Sequence, residues 1–291
     1  MRQDGVMRID LHTHSWASDG TDSPTRLVLN ARAAGLDIIS LTDHDTLAGV
    51  DEAREAGRRV GVQVLVGVEL SAEVDGREVH LLGYGPRADD PRLDAELKRI
   101  RQGRRNRLPA MLALLAGLGV PVTAEEVAEQ GGGASRSLGR PHVADAMIAR
   151  GYVASRDEAF ARFLDRDGPA FVPRPSAELV AGVDLLHTAG AAVVLAHPGI
   201  RGISQVLTGE VVEMLAAEHG LEGLEVDYPL HDPSTRDLYH RLGARLDLVR
   251  TGASDHHGAG KVGHELGSFT TREPAYRELM ERISARGGVA S

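Results

Sequence analysis

The sequence of 291 residues contains no cysteine, which excludes disulfide bonds, thiolate metal ligands and cysteine nucleophiles. Aromatic residues make up only 3% of the chain, so it offers few of the stacking surfaces that bind single-stranded nucleic acid. No apolar run approaches the roughly 18 residues of a membrane-spanning helix. The first residues, MRQDGVMRID, lack the apolar core of a signal peptide. These absences predict a cytoplasmic protein that has no membrane partner.

The chain is also poor in positive charge, with a formal net charge of −9 when histidine is neutral. This balance argues against stable binding to a nucleic-acid duplex, which depends on many contacts between basic residues and phosphates. It does not exclude a small anionic substrate, because bound cations can reverse the local field. The length is sufficient for one barrel-sized domain or for a domain with an insertion.

Short apolar runs recur along the chain, and each is followed by polar or charged residues. They are VMRIDLHTH, LDIISLTDHD, VQVLVGVEL, REVHLLGYG, AAVVLAHPG, GLEVDYP and LVRTGASDHH. Runs of this length and β-branched composition are typical of buried parallel strands. Helical patterns follow the first two runs, beginning at Ser23-Pro24 and at Thr46. The alternation predicts an α/β fold, a TIM-like (β/α) barrel of about seven strands.

The alternation is interrupted between the fourth and fifth runs. From about Leu93 to Arg174 the pattern is helical, beginning with LDAELKRIRQGRRNRLPAMLALLAGLG. We therefore expect a discontinuous barrel of residues 7–93 and 175–286, with a helical insertion at 94–174 that could cover the barrel mouth. Pro109 should bend the first helix of the insertion or end it.

Side chains of metal-binding type lie at or near these runs. His12 and His14 are two residues apart, so a strand would point both to the same side. In barrels of this type, the chemistry lies at the C-terminal ends of the strands. Candidate ligands that would meet at this end are His12, His14, Asp19, His44, Glu69, His80, His197, Asp255 and His257. Any one of the histidines alone is more often a buried structural residue, so the expectation rests on the whole set.

The set is too large for one ion with roughly four to six ligands, but it could hold two or three ions if carboxylates bridge them. Histidine binds metal in its neutral form, so the three carboxylates contribute a charge of about −3. Three divalent ions would leave the site at about +3 before hydroxide binds, and that charge would attract phosphate. Imidazole and carboxylate ligands suit Mn, Fe or Zn.

The motifs HTH with Asp19, TDHD, GVEL, AHPG and SDHH together resemble those of the polymerase and histidinol phosphatase (PHP) family of metal-dependent phosphoesterases. The resemblance reaches from the start of the chain to past residue 257. It implies a distorted seven-stranded barrel around a trinuclear metal centre, and it favours Mn²⁺ over Zn²⁺ or Fe²⁺.

The resemblance also implies an assignment of ligands to ions. The first ion would be held by His12, His14, Glu69 and Asp255. Glu69 would bridge to a second ion, together with His80 and His197. A third ion would be held by Asp19, His44 and His257. His256 stands where many members have phenylalanine, and the alternation of side chains along a strand favours Asp255 with His257 as the inward pair.

Three segments of the insertion resemble one subgroup of the family: RQGRRNR (101–107), GRPHVADAM (139–147) and GPAFVPR (168–174). Members of this subgroup remove a phosphate from nucleotide 3′,5′-bisphosphates, and some trim short RNA from its 5′ end. The resemblance implies a phosphoric monoester hydrolase that acts on a nucleotide, most simply on the 3′-phosphate of a nucleoside 3′,5′-bisphosphate. A hydroxide that bridges two metal ions would attack the phosphorus.

Arg104 lies in an otherwise apolar helical stripe with Ile100, Leu108 and Met111, so we expect it to face inward. An inward arginine needs an anionic partner, which is either an internal carboxylate or a substrate phosphate. The sequence leaves both partners open.

Other candidate substrate contacts are further apart in the chain. Arg140 precedes Pro141 at a predicted helix start, which suits phosphate, although an exposed arginine beside a turn is the alternative. Arg174 and Ser137 are further candidates for phosphate binding. His231, just beyond the sixth run, could donate a proton to the leaving sugar oxygen, or it could be a loop histidine outside the site.

Three other functions stay open at this point. They are a 5′–3′ exoribonuclease on short RNA, a histidinol-phosphate phosphatase, and a metal-binding module without turnover. The intact ligand set argues against the last of these. The partner is then a small phosphorylated nucleotide or a short oligonucleotide, and nothing in the sequence predicts the oligomeric state.

Overall fold

The computed structural model describes residues 7–130, 138–173, 175–200 and 202–289. Ser137 and Arg174, two of the candidates for phosphate binding, lie outside the described residues. The chain divides into two compact units, one formed by Met1–Lys98 with Ser176–Ser291 and the other by Arg99–Pro175. Among the described residues, no helix is both long and apolar enough to cross a membrane.

The first unit is built on one sheet. Its strands are β1 (Ile9–Thr13), β2 (Ile38–Leu41), β3 (Gln63–Val74), β4 (Arg77–Tyr84), β5 (Ala177–Glu178), β6 (Ala192–Leu195), β7 (Gly223–Asp227) and β8 (Val249–Gly252). The order in the sheet is β1-β2-β3-β4-β6-β7-β8, and the short β5 pairs with β3. A parallel bridge between Thr13 and His256 nearly closes the sheet. The predicted distorted seven-stranded α/β barrel is confirmed, and all seven apolar runs form its strands.

One strand departs from the predicted parallel arrangement. β4 is antiparallel to both of its neighbours, β3 and β6. The cause is the two-residue connection between β3 and β4, formed by Asp75 (φ 48°) and Gly76 (φ 65°). Two consecutive residues with positive φ are typical of a tight hairpin turn, which returns the chain directly beside the strand it has just left. The expectation that this run is a parallel strand is therefore wrong.

Helices cover the outside of the sheet. They are α1 (Pro24–Ala33), α2 (Val50–Val60), α7 (Leu179–Thr188), α8 (Gly209–His219), α9 (Pro233–Arg245) and α10 (Glu273–Ala285). The predicted helix start at Ser23-Pro24 is confirmed, because the Ser23 hydroxyl accepts a hydrogen bond of 3.0 Å from the N–H of Arg26. Leu27 of α1 and Ile39 of β2 lie in one buried apolar cluster with residues of α2 and β3.

A second apolar cluster fills the start of the barrel. Ile9, Ile38 and Val249, near the beginnings of β1, β2 and β8, pack with Leu279 and Ile283 of α10. All five side chains are almost completely buried. The hydrophobic effect therefore stabilises the N-terminal ends of the strands, and polar side chains occupy the C-terminal ends.

The second unit is helical. It contains most of α3 (Pro91–Gly117), together with α4 (Ala124–Gln130), α5 (Arg140–Ala149) and α6 (Arg156–Ala159), which continues as a π-helical turn at Phe160–Leu164. Its own apolar core includes Met111 and Val143. The helix α3 runs for 27 residues and does not end at Pro109, as the proline had suggested it could.

Candidate metal centre

The nine predicted ligands lie together at the C-terminal ends of the barrel strands. His12 is in β1, Glu69 in β3 and His80 in β4, and the other six residues follow the ends of β1, β2, β6 and β8. Groups of these side chains bring their nitrogen and oxygen atoms within 4.8 Å of one another. His80 reaches this end of the barrel only because β4 is antiparallel, which places it opposite Ser71 near the C-terminal end of β3.

Glu69 lies at the middle of the cluster and is 1% exposed. Its two oxygens face ring nitrogens of five histidines: His12, His14 and His44 within 3.3 Å of Oε2, and His80 and His197 within 3.1 Å of Oε1. One carboxylate thus faces two sets of imidazoles, which is the arrangement expected of a group that bridges two ions.

Two more carboxylates lie on either side of His14 and His257. Asp19 is 3.3 Å from His257 Nε2 and 3.7 Å from His14 Nδ1. Asp255 Oδ1 is 3.2 Å from His14 Nε2 and 3.4 Å from His257 Nδ1. Asp19 also lies 3.6 Å from His44 Nε2, so the three residues of the predicted third set are adjacent.

Many of these atoms approach each other without forming hydrogen bonds. Seven buried atoms of the cluster have no hydrogen-bond partner among the described residues: His12 Nε2, His14 Nδ1 and Nε2, His44 Nδ1, Glu69 Oε2, His80 Nδ1 and His197 Nδ1. A buried polar atom without a partner costs about 1–3 kcal/mol, so seven at one place would be strongly destabilising. Divalent cations would bind one nitrogen of each neutral imidazole together with the carboxylate of Glu69, and the residues therefore fit a metal centre.

Protonation of the metal-free cluster is uneven. Burial lowers the pKa of His14, but Asp255 and Glu69 outweigh burial and raise it to about 9. At His80, burial also lowers the pKa, but Glu69 and Glu78 outweigh burial and raise the pKa to about 10. At His44 burial dominates and lowers the pKa to about 3. Metal ions that bind here must displace protons from His14 and His80, because imidazole coordinates metal only in its neutral form.

Backbone strain is concentrated at the same place. His197 and Asp255 both adopt positive φ, at 30° and 52°. Such a conformation costs on the order of 1–3 kcal/mol in a residue other than glycine, and it is found mainly at functional sites where surrounding contacts impose it.

A family model described as the PHP domain matches residues 10–117 of the chain. A 5′-3′ exoribonuclease from Haemophilus influenzae is 32% identical over 86% of this chain and 90% of its own length. The chain belongs to the PHP family. The recognition of this family from the sequence motifs is confirmed, and with it the prediction of a metal-dependent, hydrolytic phosphoesterase.

Further relatives of this PHP protein cover nearly its whole length. A 3′,5′-nucleoside bisphosphate phosphatase from Chromobacterium violaceum is 31% identical over 97% of this chain and 98% of its own. A phosphoribosyl 1,2-cyclic phosphate 1,2-diphosphodiesterase from Eggerthella lenta is 34% identical over 88% of this chain and 96% of its own. The crystal structure of a candidate metal-dependent phosphoesterase from Bifidobacterium adolescentis, 34% identical, has a TM-score of 0.79 and covers 95% of this chain and 96% of that one.

Sequence reasoning missed one carboxylate of the PHP centre. Glu225, in β7, is completely buried. Its Oε1 lies 2.9 Å from His12 Nδ1, and its Oε2 accepts a hydrogen bond of 2.9 Å from the backbone N–H of His197. The first contact orients His12 so that Nε2 faces Glu69, and the second holds the strained backbone of His197. A charged residue inside the apolar run GLEVD is a signal that could have revealed it, because a buried charge needs a partner.

Three buried aspartates fix the segments that carry the predicted ligands. Each accepts hydrogen bonds from the backbone N–H and the hydroxyl of one serine: Asp10 from Ser254, Asp43 from Ser15, and Asp45 from Ser71. These serines lie one or two residues from Asp255, His14 and Glu69. The aspartates beside His44 therefore stabilise neighbouring segments of the PHP centre.

Two further residues meet on Asp255 Oδ2, the oxygen that faces away from the histidines. The hydroxyl of Tyr228 donates a hydrogen bond of 2.8 Å to it, and the ammonium group of Lys261 forms an ion pair with it. Tyr228 is buried, and its ring lies 5.1 Å from the ring of His197. Neither residue was singled out from the sequence, because neither has metal-binding side-chain chemistry.

His231, the predicted proton donor, is buried, and its ring nitrogens contact backbone groups. It is 1% exposed, its Nδ1 lies 2.9 Å from the carbonyl oxygen of Val226, and its Nε2 accepts a hydrogen bond of 3.1 Å from the N–H of Gly199. Both ring nitrogens are thus engaged by the backbone. This arrangement favours a residue that joins the loops after β6 and β7 over a donor of protons to substrate.

The two described arginine candidates belong to the helical unit. Arg140 begins α5, its guanidinium lies 5.5 Å and 5.7 Å from the ring centres of Phe160 and Phe171, and it donates a hydrogen bond to the carbonyl of Leu164. Arg104 is half-buried in α3. Their predicted role in phosphate binding stays a prediction.

Proposed function

We propose that this PHP phosphoesterase hydrolyses a phosphate monoester of a nucleotide, the 3′-phosphate of a nucleoside 3′,5′-bisphosphate. The observation that carries the substrate class is the match to a 3′,5′-nucleoside bisphosphate phosphatase, which extends over 97% of this chain and 98% of that protein. A match of this extent includes the helical unit as well as the barrel, so it is more informative about substrate than the metal-binding motifs alone.

The proposed centre holds two or three divalent ions, with Mn²⁺ as the first choice. His12, His14, Glu69 and Asp255 would bind one ion, Glu69, His80 and His197 a second, and Asp19, His44 and His257 a third. Three histidines face one oxygen of Glu69 and two face the other, and this division supports the proposed bridging role. When bound, such ions lower the pKa of water towards neutrality and polarise phosphoryl oxygens.

The residues of the chain contribute position and charge. Glu225 orients His12, and Asp10, Asp43 and Asp45 fix the segments that hold the ligands, so the side chains are preorganised before substrate arrives. Preorganisation of this kind lowers the barrier because little rearrangement is needed when negative charge develops on the phosphoryl group. Arg104 and Arg140 remain the proposed phosphate contacts from the helical unit, as the sequence predicts.

A panel of substrates tests the assignment. We expect the Mn²⁺-loaded protein to turn over adenosine 3′,5′-bisphosphate fastest, compared with AMP, histidinol phosphate, a 5′-phosphorylated trinucleotide and a five-membered cyclic phosphate. Phosphate release measures the three monoesters, and chromatography of the products measures cleavage of the trinucleotide and opening of the cyclic ester. The variant Glu69→Gln, treated in the same way, controls for contaminating phosphatases. A clear preference for histidinol phosphate or for the cyclic ester would overturn the proposal.

The second candidate function is a 5′–3′ exoribonuclease on short RNA. The match to the Haemophilus influenzae exoribonuclease, at 32% identity over 86% of this chain, supports it directly. The trinucleotide in the panel separates the two functions. Release of mononucleotides from it, without turnover of the bisphosphate, would replace the phosphatase with the nuclease.

A further inference from the structure

We propose that Lys261 binds substrate at the metal centre, through contact of its ammonium group with a phosphoryl oxygen. This inference rests on the proposed phosphoesterase function and deepens it by naming the protein cation that meets the phosphate. Lys261 follows β8 in the loop GAGKVG, six residues after Asp255.

The contacts of Lys261 place its charge at the edge of the cluster. Its Nζ forms an ion pair with Asp255 Oδ2, and it lies 3.4 Å from the hydroxyl of Tyr228 and 5.9 Å from the centre of the tyrosine ring. The side chain is 27% exposed, so Lys261 extends from the solvent-accessible surface to the centre. Within the described ranges, it is the one cation other than histidine that pairs with Asp19, Glu69, Glu225 or Asp255.

The loop that carries Lys261 is anchored to the loop that carries Asp19. The hydroxyl of Thr21 accepts a hydrogen bond of 2.9 Å from the N–H of Ala259, and the N–H of Thr21 donates one of 3.0 Å to the carbonyl of His257. Gly258, with φ of 68°, approaches so closely that a Cβ there would lie 2.0 Å from Thr21 Oγ1. The ammonium group is therefore held in place from both ends of the side chain, which reduces the entropy lost when it binds phosphate.

The charge of the centre leaves a function for Lys261. Four carboxylates surround the proposed ions, namely Asp19, Glu69, Glu225 and Asp255, and their charge of about −4 balances two divalent ions while the histidines are neutral. With two ions the centre would have no net charge with which to attract a phosphate dianion, and with three ions it would have a charge of about +2. In either case Lys261 adds one positive charge next to the ions.

Lysine is also rare in this chain. Of its 33 basic residues, only Lys98 and Lys261 are lysines and all others are arginines. The ammonium group is a compact charge with three donors, so it can contact Asp255, Tyr228 and a phosphoryl oxygen together, which the planar fork of an arginine does less readily. The alternative is a purely structural ion pair that holds Asp255 in its positive-φ conformation.

Binding of inorganic phosphate to the Mn²⁺-loaded protein distinguishes these roles. Lys261→Met removes the charge and keeps the length of the side chain. Lys98→Met is the matched control, because Lys98 is 65% exposed and pairs with Asp94 on α3. Lys261→Arg restores the charge. For each variant, calorimetry gives the dissociation constant of phosphate, inhibition of turnover gives its inhibition constant, and elemental analysis gives the number of bound ions.

We expect Lys261→Met to weaken phosphate binding by about tenfold to a hundredfold, which is the effect of losing one charge-assisted hydrogen bond, while the number of bound ions is unchanged. Lys98→Met should bind phosphate as the wild type does, and Lys261→Arg should recover part of the affinity. Unchanged phosphate affinity in Lys261→Met, or loss of bound metal as its only defect, would overturn the inference and leave a structural ion pair.

This measurement is independent of the nucleotide substrate. If Lys261 governs phosphate binding but adenosine 3′,5′-bisphosphate is not hydrolysed, the proposed substrate is wrong and the inference stands. If the bisphosphate is hydrolysed and phosphate binding does not depend on Lys261, the inference is wrong and the proposed function stands.

Discussion

Two buried glutamates, at opposite ends of the barrel strands, show how differently one side chain can be used. Glu222, just before β7, is 5% exposed, and both oxygens of its carboxylate have polar partners. Its Oε2 accepts from the N–H of Val193 at 2.7 Å and lies 3.0 Å from His187 Nε2, and its Oε1 accepts from Arg286 at 2.6 Å. Glu69 is buried even more deeply, yet its Oε2 has no hydrogen-bond donor within the described part of the chain.

The difference separates a structural group from a proposed metal ligand. Glu222 gains stability from partners that the folded chain itself provides, which offsets the cost of burying its charge. Five histidine nitrogens surround the carboxylate of Glu69, and hydrogen bonds do not satisfy all of these atoms. Metal ions from outside the chain would stabilise this arrangement. Burial alone does not distinguish the two groups, whereas the satisfaction of their lone pairs does.

The largest expected effect is on catalysis when Glu69 is changed to glutamine. Loss of the carboxylate charge that we propose to bridge two ions should lower kcat/KM by on the order of a thousandfold or more, because the ions would be bound less firmly. Steady-state kinetics with Mn²⁺ measures this, and elemental analysis should show fewer bound ions. Glu222→Gln is the matched control, and a similar loss of activity per folded molecule in that variant would erase the contrast.

Removal of metal should have the next largest effect. Chelation should abolish phosphate release and lower the stability of the folded protein by about 3–4 kcal/mol for each ion lost, relative to protein with Mn²⁺ at 100 to 1,000 times its dissociation constant. Thermal unfolding with and without Mn²⁺ gives the shift. Glu69→Gln should respond only weakly to Mn²⁺, whereas Glu222→Gln should respond as the wild type does.

The variant Glu222→Ala should lose stability instead of activity. It leaves the buried N–H of Val193 without its acceptor, and Arg286 is exposed enough for water to replace the carboxylate, so the loss should cost about 1–3 kcal/mol. Urea unfolding of the metal-free protein measures the difference. A stability equal to that of the wild type would show that water replaces the lost carboxylate at Val193 as well, contrary to our interpretation of this end of the barrel.

The pH dependence of metal binding should reveal protons that the centre holds in the absence of ions. His14, with a pKa of about 9, and His80, with a pKa of about 10, are protonated at pH 7 in the metal-free protein. Metal binding must displace both protons, so the apparent affinity should increase as the pH rises towards 9, by about tenfold per pH unit for each proton. Calorimetry at pH 7, in buffers with different ionisation enthalpies, counts the released protons, and a count of zero contradicts the assignment.

The smallest effect should follow from His231→Gln. Since both ring nitrogens of His231 contact the backbone, its loss should cost about 1–2 kcal/mol of stability and change kcat less than tenfold. The decisive measurement is the pH dependence of kcat, whose alkaline limb should lie at the same pH in the variant as in the wild type. A loss of that limb together with a large fall in kcat would restore His231 as the proton donor predicted from the sequence.

Much of the fold followed from local patterns in the sequence. Apolar, β-branched runs gave the seven strands, since burial on both faces demands such runs, and polar residues after them marked the C-terminal ends. The nine predicted ligands were recognisable because histidines and carboxylates recur at or near the ends of the apolar runs. The direction of β4 was missed, although Asp75-Gly76 is a strong hairpin signal in its own right.

Other features depend on contacts that no local pattern contains. Glu225 contacts His12 and His197, which come from segments distant from it in the chain. Lys261 contacts Asp255 from a loop after the last strand. The role of His231 was equally invisible, since its partners are backbone groups of other segments. Side chains that coordinate metal have a recognisable chemistry, whereas side chains that position them can be of almost any polar type.

The hairpin of β3 and β4 has a consequence for how such proteins diverge. Its register pairs Ser71 with His80, and this pairing, set by a two-residue turn outside the cluster, aims His80 at Glu69. Because side chains alternate along a strand, one residue inserted at Asp75 or Gly76 would turn His80 to the opposite face. A descendant with every ligand still present in its sequence could thus have lost one ion, and an inventory of motif residues would count a metal that the protein no longer binds.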